Sequence, residues 1–153
     1  MKKYEFTGET KEIRLLFRTA TLHRIRATVA FGIVEVGDLG GWIEKEENLS
    51  HEGKAWVCGD AEVCGDAEVF SASHVLVIGA IGSRNDFTTF YRDKDNEITV
   101  KCGCFLGKID RFLEKVTQTH GDSKYALVYR AAVEVAKLQI DLSGEAPKDA
   151  DEE

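Results

Sequence analysis

No long hydrophobic run occurs anywhere in this chain of 153 residues. A helix that crosses a bilayer needs about 20 consecutive apolar residues, and no window of the sequence approaches that length. The first residues, MKKYEFTGETKEI, carry two lysines but lack the apolar stretch that follows them in a secretory signal peptide. These absences predict a protein that contacts no membrane and stays in the cytoplasm.

The chain also lacks the sequence motifs of common enzymes. It contains no phosphate-binding loop, nucleophile elbow, dinucleotide fingerprint or paired-metal motif. Basic residues are in the minority, with 20 Lys and Arg against 27 Asp and Glu. Binding to duplex nucleic acid needs clustered cations, because its phosphates carry a dense negative charge. The sequence therefore predicts a non-enzymatic protein with no cofactor and no duplex nucleic acid partner.

Cysteine is scarce, and its spacing favours free thiols. The four cysteines are Cys58, Cys64, Cys102 and Cys104. Nothing in the sequence indicates secretion, and a chain of this length can build a core without disulfides. Cys102 and Cys104 lack the two-residue spacer of a zinc knuckle and have no second Cys or His pair at ligand spacing. We therefore expect no metal site, and a core-packing role for these two residues.

A six-residue repeat is present between residues 51 and 80. Its first column holds valine and the other two hold small residues: Val57, Val63, Val69 and Val75; Gly59, Gly65 and Ser71; Ala61, Ala67 and Ser73. Internal repeats of fixed period are typical of solenoids. In such a coil the valines point inward, the small residues pack beside the corners, and Gly-Asp forms the turns. A β-hairpin with Gly-Asp turns over residues 57–70 is the alternative.

This pattern resembles the hexapeptide repeat of left-handed β-helix proteins, over roughly 30 residues. Members of that family often form trimers with ligands in the clefts between subunits, and the best known are acyl- and acetyltransferases that use a coenzyme A donor. The resemblance implies a homo-oligomer, with a trimer preferred. It also implies an alternative function, acyl transfer, in which His74 would serve as the general base.

The flanking segments predict an α+β fold that is mainly β. Short apolar runs predict N-terminal strands over residues 1–50, and alternation of apolar and polar residues predicts a hairpin over 86–105. Helical spacing of apolar residues predicts two α-helices over 107–141. Residues 1–142 are thus expected to form one domain, and the acidic residues 143–153 a disordered tail.

Polar side chains suited to an anion follow the repeat. The segment IGSRNDFTTFYR supplies an Arg fork for phosphate or carboxylate, hydroxyl and amide groups, and a Tyr ring for stacking. A histidine at the end of a predicted helix adds a group whose cation suits the helix dipole. The predicted ligand-binding residues are Arg84, Asn85, Thr88, Tyr91 and His120. They favour a nucleotide-like or other anionic ligand, and an ordinary polar cap on the solenoid is the alternative.

Most of the remaining sequence resembles small proteins of phages and prophages of Gram-positive bacteria. The resemblance lies in LHRIRA, GDLGGWIEKEENLS, IGSRNDFTTFYR and CGCFLGKIDRFLEKVTQTHGD. It implies a phage-linked protein in the cytoplasm of a bacterial host, which counters host defence by sequestering a nucleotide-like signalling molecule. Direct inhibition of a host defence protein is the alternative.

Overall fold

The computed structural model describes residues 2–143, which form an α+β fold. Two four-stranded sheets come first in the chain and two helices follow. The strands are β1 (Tyr4–Arg14), β2 (Thr19–Ala27), β3 (Leu39–Ile43), β4 (Glu62–Val63), β5 (Val75–Ile81), β6 (Asp86–Arg92), β7 (Ile98–Cys102) and β8 (Phe105–Lys108). The helices are α1 (Ile109–His120) and α2 (Lys124–Gln139). This confirms the predicted α+β class with two C-terminal helices.

The first sheet has the strand order β1-β2-β3-β4. β1, β2 and β3 are antiparallel, whereas β3 and β4 run parallel. Ile25 of β2 is fully buried in the cluster that holds the valines of the six-residue repeat, and Leu22 of β2 is fully buried in a second cluster with Cys64 of the repeat. A register shift between Phe6 and Thr10 bends β1 where Gly8 adopts a positive φ of 94°.

From β3 to the start of β5, two stretches of the chain pair with each other in parallel. Ile43 pairs with Val63 and Leu49 pairs with Val69, both in parallel register and with the same sequence separation. The backbone N–H of Val69 donates to the carbonyl of Asn48 at 3.0 Å. Two stretches of backbone, around residues 43–49 and 63–69, therefore lie side by side in parallel with a constant register.

Three valines of the repeat point into one core. Val57, Val63 and Val69 are buried in a single cluster of apolar side chains. Gly59 and Gly65 have positive φ angles of 57° and 62° in the Gly-Asp turns. Glycine adopts this left-handed conformation without steric cost, so the turns that the repeat predicts are formed.

The sequence repeat includes Val75, but in the structure this residue no longer belongs to the coil. This residue begins β5, which pairs antiparallel with β6 in the second sheet. The predicted repeat segment 51–80 therefore overlaps a strand of a different sheet. The physical reason is that a six-residue period is a multiple of the two-residue period of a β-strand, so a valine column continues unchanged when the chain leaves the coil.

The second sheet is an antiparallel meander in the order β5-β6-β7-β8. The hairpin predicted over residues 86–105 forms its middle. Both helices pack on one face, and aromatic residues dominate the shared core through Phe90, Phe112 and Tyr129. α1 ends at Gly121, whose φ of 56° allows the chain to turn into α2.

The two parts of the molecule meet along β6. We refer to residues 2–74 as the coil half and to residues 75–143 as the helical half. The N–H of Glu68 donates to the carbonyl of Arg92 at 3.0 Å, and the phenol of Tyr91 donates to the carbonyl of Cys64 at 2.7 Å. Strand β6 thus belongs to the second sheet but contacts the coil directly.

The predicted tail over residues 143–153 lies outside the described residues, except for Ser143. Within residues 2–143, neither helix combines the length and the apolar character that a membrane span requires.

Candidate functional site

A cavity of about 220 Å³ opens where three turns meet the first helix. Its walls come from the β1–β2 turn, the β5–β6 turn, the β7–β8 turn, α1 and α2. The lining residues are Leu16, Ser83, Arg84, Cys102, Gly103, Cys104, Phe105, Phe112, Lys115, Val116, Thr119, His120 and Tyr129. Both halves of the molecule therefore contribute to one concave site, which is the usual form of a small-molecule site.

Backbone contacts hold the turns of this cavity in place. The N–H of Leu16 donates to the carbonyl of Cys104 at 3.0 Å, which joins the first hairpin to the β7–β8 turn. Gly103 has a φ of 58°, as expected for the first central residue of a two-residue hairpin turn. A Cβ at Gly103 would lie 2.7 Å from Nη1 of Arg84. The guanidinium therefore packs against the turn at a place where glycine leaves room for it.

Positive charge dominates the polar part of the lining. Arg84 and Lys115 carry fixed charges, and His120 sits in the last turn of α1, where the helix dipole favours a cation. In the part of the chain that the structure describes, no Asp or Glu belongs to the lining. Among residues 2–143, no carboxylate lies within ion-pair distance of Arg84 or Lys115. Within these residues the cavity therefore presents two cations without a carboxylate partner.

The inner wall is apolar and aromatic. Phe112 and Val116 of α1 are each 3% exposed, and the Phe112 ring lies 5.4 Å from Phe105 and 5.7 Å from Tyr129. Burial and the neighbouring Cys102 thiol raise the pKa of Tyr129. Its phenol therefore stays protonated at neutral pH and can donate a hydrogen bond.

Two of the five predicted ligand-binding residues line this cavity, namely Arg84 and His120. Asn85 occupies the β5–β6 turn with a φ of 51° and is exposed, but it is not part of the lining. Thr88 is 1% exposed and lies behind the wall, where its hydroxyl donates to the sulfur of Cys102 at 3.4 Å. Tyr91 is 1% exposed and faces the core of the coil half, so its ring has no open surface for stacking.

Sequence reasoning missed several lining residues. Lys115, Thr119 and Tyr129 come from the helices, which were treated only as packing elements. Lys115 and Thr119 lie four residues apart on α1, beside the buried Phe112 and Val116. Polar residues that border an apolar helical stripe at this spacing are the signal that could have found them. Cys102 and Cys104 were expected to pack in the core; Cys102 does pack against the core of the helical half, and both residues also line the cavity.

His74, the candidate general base, is 1% exposed. Its Nδ1 accepts a hydrogen bond from the N–H of Phe70 at 3.3 Å, and its ring contacts that of Phe70 edge-on. Burial lowers the pKa of His74, which favours the neutral ring. Both its geometry and its burial are those of a histidine held inside the fold.

No protein-family model matches the chain, and no curated protein matches it in sequence.

Proposed function

We propose that the protein is a non-enzymatic binder whose cavity takes a small nucleotide-like anion. The observation that carries the proposal is the composition of the lining, in which, among residues 2–143, Arg84, Lys115 and His120 occur without Asp or Glu. Arg84 and Lys115 are exposed, so an anionic ligand could reach them and form charge-assisted hydrogen bonds with them. Together with the resemblance to phage proteins, this supports a role in which a host signalling molecule is sequestered.

The position of His74 favours a binder over an acyltransferase. A general base must reach the proton that it removes, either directly or through one water. His74 is buried and its Nδ1 already accepts the N–H of Phe70. It is also absent from the lining of the cationic cavity, so it could not act on a ligand bound there.

We further propose that residues 39–74 form a short left-handed β-helical coil of hexapeptide repeats. The parallel pairs Ile43–Val63 and Leu49–Val69 and the shared core of the valine column support this assignment. A crystal structure tests it directly. A left-handed path with Val57 and Val63 inside the coil is expected, and a right-handed path would contradict the proposal.

Self-association is part of the proposed function, and the β2–β3 loop supports it. This loop exposes the apolar side chains of Ile33, which is fully exposed, and Val36 at 67%, and Leu39 at the start of β3 is 52% exposed. Clustered exposed apolar residues of this kind mark protein contacts. A trimer is the state that the hexapeptide resemblance implies. Light scattering at micromolar concentration tests it, and a monomer would contradict it.

The same loop favours a second candidate function, direct inhibition of a host defence protein. In that case the loop would bind the target protein, and the cavity would play no part in the inhibition. Replacing Ile33 with Ser should then abolish the anti-defence effect in infected cells, while Arg84→Ala should leave that effect unchanged. The nucleotide proposal predicts the opposite result for Arg84→Ala.

Calorimetric titration tests the binding proposal. The protein is titrated with ribonucleoside monophosphates and with a mass-identified ligand from native mass spectrometry of protein purified from bacteria. Arg84→Ala should weaken binding by about tenfold or more, because a charge-assisted bond to phosphate contributes about 1.5 to 3 kcal/mol. Arg84→Lys should recover part of the affinity, since it keeps the charge but loses the planar fork.

Arg111→Ala is the matched control for this titration. Arg111 lies on α1 but outside the cavity, with a side chain that is 75% exposed. Its replacement should leave the affinity unchanged. Equal loss in both variants, or equal affinity of Arg84→Ala and wild type, would refute the assignment of the site.

A further inference from the structure

We infer that the cavity selects a terminal phosphate, carried as a dianionic monoester, over a phosphodiester. This inference rests on the proposed function and specifies the chemical class of its ligand. Three features of the described residues carry it: the number of unpaired cations, the closed inner wall and the set of hydrogen-bond donors.

The charge balance points to a dianion. Arg84 and Lys115 supply two fixed positive charges, and neither has a carboxylate partner among residues 2–143. A phosphodiester brings one negative charge, whereas a monoester carries about −1.5 to −2 at neutral pH because its second pKa is about 6. Only the monoester can compensate both cations in full. The ring of His120 at the C-terminal end of α1 adds a further hydrogen-bonding group to the lining.

The shape of the cavity also favours a terminal group. Phe112, Val116 and Tyr129 close the inner wall and are almost completely buried. The cavity of about 220 Å³ is smaller than the roughly 300–1,000 Å³ of sites that enclose a drug-sized ligand. A phosphodiester would need space for a carbon substituent on both sides of the phosphorus. A monoester needs it on one side, so its three free oxygens can enter while the nucleoside stays at the opening.

The donors suit a group with several free oxygens. Besides the guanidinium and the ammonium, the lining includes the hydroxyl-bearing residues Ser83, Thr119 and Tyr129, of which Ser83 and Tyr129 hydrogen-bond to each other. Terminal phosphate oxygens are strong acceptors and bind several donors at once. A diester has only two free oxygens for the same set of donors and would leave more of them without a partner.

Pairs of nucleotides that share a nucleoside test this inference. For adenosine and for guanosine, we would titrate the protein with the 5′-monophosphate, the 3′,5′-cyclic monophosphate and the unmodified nucleoside. The monophosphate should bind at least about tenfold more tightly than the cyclic diester. Inorganic phosphate should compete with it, and dimethyl phosphate should not. Equal or tighter binding of the cyclic diester would overturn the inference.

A charge variant strengthens the test. Lys115→Gln removes one of the two fixed cations, so the preference for monoester over diester should fall to within about threefold. Lys54→Gln, an exposed lysine of the coil half outside the cavity, is the matched control and should keep the full preference. An unchanged preference in Lys115→Gln would contradict the charge argument.

The outcomes separate this inference from the proposed function. If the cyclic diesters bind tightly and Arg84→Ala abolishes that binding, the cavity is an anion site and only the selectivity for a terminal phosphate is wrong. If no phosphate compound binds, or if Arg84→Ala leaves binding intact, both the site and its selectivity are overturned.

Discussion

The coil half and the helical half place two sets of polar side chains in opposite environments, a buried amide in the first and exposed cations in the second. In the coil half, Asn48 is fully buried and makes four hydrogen bonds to the chain. In the helical half, Arg84 and Lys115 border a cavity and have no carboxylate partner among residues 2–143. A buried and fully hydrogen-bonded side chain contributes to stability, whereas an exposed cation beside a cavity is accessible to a ligand.

The difference follows from how each half fills space. The coil half repeats one small unit, and its valine and alanine columns are buried in one cluster of apolar side chains. The helical half packs two helices with large aromatic residues on a twisted sheet. Turns of unequal length border this packing, and the space between them and α1 becomes the cavity. Irregular junctions of this kind are where ligand sites most often form.

Replacing Asn48 should cause the largest loss of stability. Its Oδ1 accepts from the N–H groups of Glu44 and Lys45, and its Nδ2 donates to the carbonyls of Gly65 and Ala67. Asn48→Ala leaves these buried groups without their partner, which should lower the free energy of unfolding by about 3 kcal/mol. Urea denaturation monitored by circular dichroism measures this change.

The matched control for that experiment is Gln118→Ala, an exposed amide on α1. Its effect should stay within about 0.5 kcal/mol, as is usual for surface positions. A similar loss in both variants would show that Asn48 does not join the layers of the coil, and the contrast between the halves would fail.

A pair of glycines tests the packing of each half with the same substitution. Gly59 in the coil half and Gly82 in the helical half both have positive φ, so Ala at either site is strained. A Cβ at Gly59 would meet nothing within 4 Å, whereas a Cβ at Gly82 would lie 1.9 Å from the hydroxyl of Tyr129. Gly82→Ala should therefore cost about 2 kcal/mol more than Gly59→Ala.

Removing the hydroxyl should recover part of that difference. In the double variant Gly82→Ala with Tyr129→Phe, the nearest of the clashing atoms is removed, but the ring carbons Cζ and Cε1 still lie too close to the added Cβ. The relief is therefore partial, and the two changes should couple by about 1 kcal/mol. Thermal unfolding of the four proteins in this cycle gives the coupling energy. Purely additive effects would mean that Tyr129 does not contact the β5–β6 turn.

A smaller effect should appear when the pH is lowered. Burial lowers the pKa values of His51 and His74, both in the coil half, below the ordinary value of 6.5. The unfolded chain then binds protons more readily than the folded one, so stability is complete above about pH 6.5 and decreases as the pH falls below it. His51→Gln and His74→Gln should each flatten this dependence. A profile that stays flat below pH 6.5 in the wild type would contradict the neutral state of these rings.

The sequence predicted the α+β class, the valine column as far as Val69 and both helices, because each depends on local periodicity. It could not show where the coil ends, since the spacing of Val75 fits both a coil and a strand. For the site, Arg84 and His120 were predicted from residue chemistry alone, and both line the cavity. Tyr91 was predicted for the same chemistry but faces the other core, because strand register decides which side a residue faces and was not known. Lys115 and Thr119 could be assigned to the site only once the position of α1 against the second sheet was known.

Chemical-shift mapping by NMR tests the central claim most directly, namely that the cationic cavity of the helical half is the binding site. The ¹⁵N-labelled protein would be titrated with adenosine and guanosine 5′-monophosphates, and amide shifts would be followed along the chain. The account predicts that the largest changes fall at Ser83 and Arg84, across residues 102–105 and near the end of α1 from Lys115 to His120, with little change in the coil half. Shifts that concentrate in the coil half or the β2–β3 loop, or no shifts at all, would contradict it.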